Sequence, residues 1–264
     1  MEWIAYLVLG LVAGFVAGLL GVGGGLIIVP VLVFIFAAQH FPEQYAMHLA
    51  LGTAMASIIF TSVSSFRAHH AHGAVNWQIW RDIGPGIIIG TFLGTVLAAF
   101  LSAYFLKIFF VAFVFYAGTQ MLLDIKPKAA RALPGWFGMY LAGNVIGAVS
   151  SLVGIGGGTL SVPFMTWCNV KLHQAIGTSA AIGLPIAIAG TLGYIANGWG
   201  VRAALPEHSF GFVYVPALAA IVATSMLTAP LGAKLAHRLP VKQLKKIFAF
   251  LLYVLGIRML STLI

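Results

Sequence analysis

The feature that most limits the fold of this chain is a run of 40 residues without Asp, Glu, Lys or Arg, between Glu2 and Glu43. As one straight α-helix the run would be about 60 Å long, twice the thickness of the hydrocarbon core of a bilayer. A second run of 39 such residues fills 132–170. Each run must therefore fold back on itself, and each carries four glycines near its middle, at 21–25 and at 154–158.

Composition excludes a water-soluble fold. Hydrophobic residues make up 61% of the 264 residues and charged residues only 7%, whereas soluble domains carry about 25% charged residues. The apolar runs are continuous, which is not typical of the short alternating segments of a β-barrel. Glu2 stands where a signal peptide would carry basic residues, so we interpret the first segment as a membrane helix. The sequence predicts an all-α polytopic membrane protein.

The second half of the chain repeats the first in three ordered blocks. The first glycine run recurs at an offset of 133, with Val29 and Pro30 falling on Val162 and Pro163. "HLALGTA" recurs as "HQAIGTS" at an offset of 125, and "LSAYFLKIFFVAFVFYAGTQML" matches "LPVKQLKKIFAFLLYVLGIRML" at an offset of 138. We interpret the chain as a duplication with one membrane repeat at 1–128 and a second at 129–264.

Apolar segments and charges predict five helical elements in each repeat. The segments lie at 3–20, 26–38, 46–66, 83–105, 106–123, 134–153, 159–169, 173–196, 210–236 and 241–264. With five elements per repeat, eleven Lys and Arg residues fall on one side of the membrane and three on the other, whereas four elements would divide them seven and seven. The first division satisfies the positive-inside rule. An odd number also inverts the second repeat, as in many secondary transporters, and places both termini outside the cytoplasm.

The glycine runs are the candidate substrate site. Non-helical backbone at membrane depth is tolerated only inside protein or along a water-filled cavity, and inverted repeats would bring the two hairpin turns together near the midplane. Each turn leads into a helix whose first amides lack partners and carry a partial positive charge. Such amides form an anion site without lysine or arginine. The candidate residues are Gly21, Gly23, Gly24, Gly25, Leu26, Gly154, Gly156, Gly157, Gly158 and Thr159.

Two other interpretations of glycine apply here. Close helix packing is favoured where small residues recur every fourth position, as at Gly10, Gly14, Gly18, Gly86, Gly90 and Gly94, and it remains an alternative for the turns. A nucleotide-binding loop is disfavoured because neither run continues as G-K-[ST]. Pro30 and Pro163 would bend the second arms, as hinges or as static kinks.

Matched polar residues open one helix in each repeat. His48 corresponds to His173, and Thr53 corresponds to Thr178. These side chains could line the same cavity and donate hydrogen bonds to an anion, or the histidines could cap helices at the interface. Neither interpretation is excluded by the sequence.

No cofactor, metal site or nucleic-acid surface is expected. His69, His70 and His72 share one loop without a carboxylate or cysteine, so a solvated loop is favoured over a metal site. All five acids lie at or near predicted helix ends, which leaves no carboxylate proton relay and favours an anionic substrate. The basic residues lie at helix ends, where orientation and lipid headgroups account for them.

The motifs resemble those of a known family. "GLLGVGGGLIIVPVL" and "SLVGIGGGTLSVPFM" are similar to the signature of the TauE/SafE sulfite exporter family, also called the toluene-sulfonate uptake permease family. "GTAMASI", "HGAVNW" and "PLGAKLAHRLPVKQLKKIF" resemble its other recurring stretches. One departure is Asn76, where the family often has Asp. The resemblance implies a bacterial inner-membrane carrier, most often an exporter, of small sulfur-containing anions such as sulfite, sulfoacetate or other organosulfonates.

The sequence allows four classes of function to be compared: a secondary transporter, an anion channel, a membrane subunit of a partner protein and an intramembrane enzyme. A secondary transporter with alternating access is favoured. An anion channel or a membrane subunit of a partner protein is the alternative, and a homo-oligomer is compatible with either. An intramembrane enzyme is disfavoured, because the sequence shows no paired carboxylates, no nucleophile with a base and no metal-binding helix motif.

Overall fold

The computed structural model describes residues 2–20, 23–71, 73–123, 131–236 and 241–263, and ten α-helices account for most of this part of the chain. They are α1 (Glu2–Leu20), α2 (Gly25–Ala38), α3 (Glu43–Ala71), α4 (Trp77–Phe100), α5 (Ala103–Leu122), α6 (Trp136–Val153), α7 (Gly158–Trp167), α8 (Leu172–Trp199), α9 (Val215–Ala236) and α10 (Val241–Leu260). A 3-10 turn (Arg202–Ala204) and a short antiparallel hairpin, β1 (Ser209–Phe210) and β2 (Val213–Tyr214), precede α9.

Seven of these helices are long and apolar enough to cross a membrane, counting only the described residues: α1, α3, α4, α5, α6, α8 and α9. The prediction of an all-α polytopic membrane protein is thereby confirmed. The two second arms are short, as expected. At 1.5 Å per residue, α2 is about 21 Å long and α7 about 15 Å, against the roughly 30 Å needed to span the hydrocarbon core.

Two helix boundaries differ from the sequence prediction because of local capping. The Asn76 side chain accepts hydrogen bonds from the second and third amides of α4, and Ser102 accepts one from the third amide of α5. The predicted segments at 83–105 and 106–123 were therefore wrong in their shared boundary, which lies at Leu101 and Ser102. Asn and Asp are both strong N-caps. The presence of Asn76 where the family often has Asp therefore does not change where α4 starts.

The long helices α3 and α8 form the centre of the molecule. Gly183 of α8 packs against Ser62 of α3, and Gly190 packs against Met55. Residue numbers at these contacts increase along α8 while they decrease along α3, so α3 and α8 are antiparallel. Among the candidate spans they are the most buried, at 67% and 72% of their apolar windows.

Close glycine contacts join α1 to α9 and α4 to α6. A Cβ atom built on Gly10 would lie 2.6 Å from the Ile221 carbonyl oxygen, and one on Gly14 would lie 2.6 Å from that of Ser225. Residue numbers at the contacts increase in the same direction along both helices, so α1 and α9 run parallel. The other glycines with this spacing make the same kind of contact: Gly18 with Ala229, and Gly86, Gly90 and Gly94 with α6. Side chains at these positions would push the helix pairs apart.

Both predicted hinge prolines lie inside helices. Pro30 is the sixth residue of α2 and Pro163 the sixth residue of α7, and both helices continue past their proline. Pro85, Pro185 and Pro230 likewise lie within helices. A hinge function for Pro30 and Pro163 stays a prediction.

Candidate functional site

Each glycine run forms a tight turn whose backbone requires glycine. Gly23 and Gly24 have φ angles of 80° and 76°, and Gly154 and Gly157 have φ angles of 74° and 79°. These values lie in the left-handed region, which side-chain-bearing residues rarely adopt. Gly24 and Gly157 directly precede the first residues of α2 and α7, so the two turns are built alike.

The two turns touch one another inside the protein. A Cβ atom built on Gly23 would lie 3.4 Å from the amide nitrogen of Gly156, and one built on Gly25 would collide with the carbonyl oxygen of Gly154. Gly24, Gly25, Gly154 and Gly156 are buried. The expected meeting of the turns is therefore a contact of backbone against backbone.

Among the described residues, no acceptor is found for the first amides of α2 and α7. Within the described residues, the earliest capping bonds run from Ile27 to the Gly24 carbonyl and from Leu160 to the Gly157 carbonyl. The amides that come before them, at Gly25 and Leu26 and at Gly158 and Thr159, donate to no described group. Both helices thus present free donors and the positive end of the helix dipole at their turns.

Both turns line one small pocket, in which the centre of a water-sized molecule has about 20 Å³ of free space. Gly23 and Gly156 contribute backbone, and the remaining lining residues are small or carry hydroxyl groups. They are Ala17 of α1; Thr61, Ser62 and Ser65 of α3; and Ser179, Ala180 and Gly183 of α8. No lining residue carries a formal charge. The pocket therefore presents hydrogen-bond donors to a small ligand but no charged side chain.

One hydroxyl group of the pocket is free to bind a ligand. Ser62 is 6% exposed and lines the pocket beside Gly183, and within the described residues no hydrogen bond of its hydroxyl group is found. Ser179 lies 2.8 Å from the Ser161 hydroxyl, whose single proton is also within 2.9 Å of the Gly157 carbonyl oxygen; when Ser161 donates to that carbonyl, Ser179 donates to Ser161. Thr61 donates weakly, over 3.3 Å, to the Ile58 carbonyl.

The turns are sealed on the side opposite this pocket. The space above Gly154 is filled by the side chains of Val29 and Leu51, and the Tyr194 hydroxyl donates to the Ser151 carbonyl over 2.9 Å. All of these side chains are buried or tightly packed. The pocket thus lies on the side of the turns that holds the last residues of α3 and the first residues of α8.

The two matched histidines lie outside this pocket. His48 is buried, its Nε2 lies 2.9 Å from the Ala98 carbonyl oxygen and its ring packs against Phe212. His173 is the second residue of α8 and is exposed. The structure therefore does not bring the two side chains together, and a direct substrate contact by either one stays a prediction.

The two matched threonines bind backbone instead of lining the pocket. Thr53 accepts a hydrogen bond of 2.9 Å from the amide of Tyr214, just before α9. Thr178 accepts one of the same length from the amide of Asn76, just before α4. Both threonines are fully buried. They fix the start of one helix of the opposite half, a contact that the sequence analysis did not anticipate.

The remaining candidates lie beside the turns. Leu26, Gly158 and Thr159 are buried in the first turns of α2 and α7, and the Thr159 hydroxyl has no hydrogen-bond partner. Gly21 lies outside the described residues. Whether these residues contact substrate stays a prediction.

His69 and His70 lie in the last turn of α3, so the prediction of a loop was wrong for these two residues. In the described part of the chain, no three His, Cys, Asp or Glu side chains are placed to share a metal ion. His70 packs against the rings of Phe66 and Trp77, and His72 lies outside the described residues.

Sequence reasoning missed the hydroxyl stripe of α3. Ser57, Thr61 and Ser65 recur every fourth residue in an otherwise apolar helix, which places them on one face, and Ser62 adjoins them. That spacing was the available signal. It has no counterpart in the second repeat, and the search for matched residues passed over it.

Comparisons with known proteins agree with this architecture. The family model described as sulfite exporter TauE/SafE matches residues 6–259. A "probable membrane transporter protein" of Haemophilus influenzae is 41% identical over 259 residues, covering 96% of each chain. One from Methanocaldococcus jannaschii is 26% identical over 261 residues, covering 96% of this chain and 94% of its own. A third, YdhB of Bacillus subtilis, is 26% identical over 239 residues, covering 88% and 89%. No solved structure gives a significant match.

Proposed function

The chain belongs to the TauE/SafE sulfite exporter family, and from this premise we propose that it is a secondary transporter of small sulfur-containing anions. Sulfite, sulfoacetate and other organosulfonates are the proposed substrates, export is the proposed direction, and alternating access is the mechanism. The single observation that carries the proposal is the contact of Gly23 with Gly156 at a pocket that both turns line. Free amides at the starts of two helices suit an oxyanion.

Matched contacts support two repeats related by a two-fold axis. The bond from Tyr214 to Thr53 corresponds to the bond from Asn76 to Thr178, with offsets of 125 between the threonines and 138 between the donors. A Cβ atom on Gly52 would meet the Phe212 carbonyl and one on Gly177 the Ala74 carbonyl, again at offsets of 125 and 138.

The paired outer helices follow the same rule. Gly94 packs against the Ala148 carbonyl, and Gly232 packs against the Phe15 carbonyl. The glycines differ by 138 positions and the carbonyl residues by 133, as in the sequence repeats. The pair α4–α6 thus corresponds to the pair α9–α1.

Helix directions favour an inverted relationship between the repeats. In this correspondence α3 is equivalent to α8, and the two are antiparallel. An axis that exchanges antiparallel helices lies perpendicular to them, which is in the plane of the membrane for helices that cross it. Many secondary transporters are built in this way around a site at the midplane.

We propose that the pocket faces the cytoplasm in this conformation. It lies toward the end of α3 that carries Arg67 and the end of α8 that follows Lys171, and both residues are exposed. Both belong to the side that the positive-inside rule assigns to the cytoplasm. In the alternate state the tight packing around Val29, Leu51 and Tyr194 would open and the hydroxyl-lined side would close.

Transport by purified protein tests the proposal. We expect proteoliposomes to take up labelled sulfite with saturation, and preloading with unlabelled sulfite to accelerate uptake by counterflow. Empty liposomes and liposomes with heat-denatured protein are the controls, and an imposed pH gradient reports proton coupling. Saturating uptake without counterflow would indicate a channel, and no transport of any sulfur-containing anion would overturn the proposal or indicate that a partner protein is needed.

A further inference from the structure

The charges around the pocket define which anions it can hold. The lining residues include no lysine, arginine or histidine. The positive potential at the turns therefore comes from backbone, with roughly half an elementary charge at the start of each of two helices. Together α2 and α7 supply roughly one positive charge.

One hydroxyl group in the pocket points independently to a ligand. Ser62 is more than nine-tenths buried and lines the pocket, and its hydroxyl group has no hydrogen-bond partner in the described residues. Its oxygen is not fully enclosed by protein, so its proton can be donated into the pocket. An anion in the pocket would accept a hydrogen bond from Ser62.

From this balance we infer that the pocket selects singly charged oxyanions over doubly charged ones. The inference rests on the proposed function and narrows its substrate class. Hydrogensulfite and simple alkanesulfonates carry one charge and would be balanced. Sulfate, fully ionised sulfite and sulfoacetate carry two, and the second charge would be buried without compensation, which is strongly unfavourable. Sulfoacetate is therefore the one compound of the proposed substrates that this inference removes.

Protein groups near the pocket do not substitute for this balance. On the helices packed around it, Glu2 and Glu43 open α1 and α3, and His48 contacts the Ala98 carbonyl. Tyr6 of α1 donates to Gln39, Tyr194 of α8 donates to the Ser151 carbonyl, and the ring of Tyr45 packs against Phe212. The remaining charged or titratable groups of these helices lie at the pocket-side ends of α3 and α8: Arg67, His69, His70, Lys171 and His173. None of these residues lines the pocket.

Competition and pH dependence test the inference in proteoliposomes. We expect methanesulfonate to inhibit labelled sulfite uptake at concentrations at least about tenfold lower than sulfate. Both are tetrahedral around sulfur but differ in charge. Sulfite uptake should fall as pH rises through the ionisation of hydrogensulfite, while uptake of labelled methanesulfonate, which keeps one charge, should not follow that curve.

A charge introduced into the pocket provides the matched variant. Ser65 lines the pocket and is only half-buried, so a longer side chain can reach toward water. We expect Ser65→Lys to strengthen inhibition by sulfate at least several-fold relative to methanesulfonate. Ser65→Met, which adds similar length without charge, should leave the ratio as in the unmodified protein.

The outcomes separate the inference from the proposed function. If sulfate competes as well as methanesulfonate, or if sulfite uptake ignores the ionisation of hydrogensulfite, charge selection is refuted and sulfur-anion transport stands. If no sulfur-containing anion is transported or competes, both are refuted. A sulfate preference that Met induces as strongly as Lys would also contradict charge balance.

Discussion

A Cβ atom built on Gly23 would lie 3.4 Å from the amide nitrogen of Gly156. Two turns that are 133 residues apart in the chain thus meet with no side chain between them. Only glycine allows this approach at Gly23, because its φ angle of 80° also excludes most other residues. The contact brings the backbones of the two halves together beside the pocket that Gly23 and Gly156 line.

Gly156 allows a clean test of this pocket. Its φ angle is not positive, and a Cβ atom there would lie 3.4 Å from the nearest heavy atom, Cγ2 of Ile58, which is ordinary contact. We expect Gly156→Ala to lower sulfite uptake about tenfold, because the added methyl group occupies the ligand space. The measurement is initial uptake rate together with the melting temperature in detergent, which should change little.

Gly200→Ala is the matched control for that variant. Gly200 follows α8 with a right-handed helical backbone, is exposed, and a Cβ atom there would meet nothing within 4 Å. Alanine adopts this backbone conformation without strain, so uptake and stability should be preserved. Equal uptake by the two variants would contradict a substrate site at Gly156.

The equivalent threonines predict equivalent losses of stability. Thr53→Val and Thr178→Val each remove the acceptor of a backbone amide with nearly unchanged side-chain volume. Leaving such a donor unsatisfied costs about 1–3 kcal/mol. We expect both variants to lower the melting temperature by similar amounts, measured by thermal unfolding of the purified protein in detergent.

The double variant provides the check on this pair. The two threonines share no partner, so the effects should be additive. A large loss for one variant with none for the other would argue against the proposed equivalence of the two repeats.

Much of the fold was readable from the sequence because the membrane leaves few alternatives. Two charge-free runs of 40 and 39 residues are too long for one crossing, and the glycines mark where backbone can leave the helix. The short second arms followed from segment length, and the helix count from the apolar segments together with the division of charges. The boundary at Ser102 was missed because apolar residues continue through it, and only its capping bond reveals the break.

The site was only partly readable, because sequence matching finds what two halves share. It led to Gly23 and Gly156, which line the pocket, but also to Thr53 and Thr178, which are shared because they support equivalent helix starts. Ser62 has no polar partner in the other half at the matching position. Comparing the two halves of the sequence cannot identify a residue, such as Ser62, that occurs in only one of them.

Thiol labelling tests the orientation that we expect from the positive-inside rule. Ala71 and Ser102 are exposed at opposite ends of α4, so Ala71→Cys should be protected and Ser102→Cys modified by a membrane-impermeant maleimide added outside intact cells. Cys168 gives little background because it is buried, and burial raises the pKa of its thiol, although Arg131 partly opposes this rise.

Labelling of permeabilised cells is the control, since both introduced cysteines should then react. Modification of Ala71→Cys and protection of Ser102→Cys in intact cells would reverse the orientation. Modification of both from outside would contradict a single crossing by α4.

Selenite allows the central claim to be measured directly, because selenium scatters X-rays anomalously and replaces sulfur in a sulfite-like anion. The experiment is a crystal structure of the protein with selenite, at a concentration that saturates selenite uptake. We predict an anomalous peak in the pocket that Gly23 and Gly156 line, within hydrogen-bond distance of the Ser62 or Ser179 hydroxyl. A selenite peak elsewhere along the transport path, with this pocket unoccupied, would contradict the account.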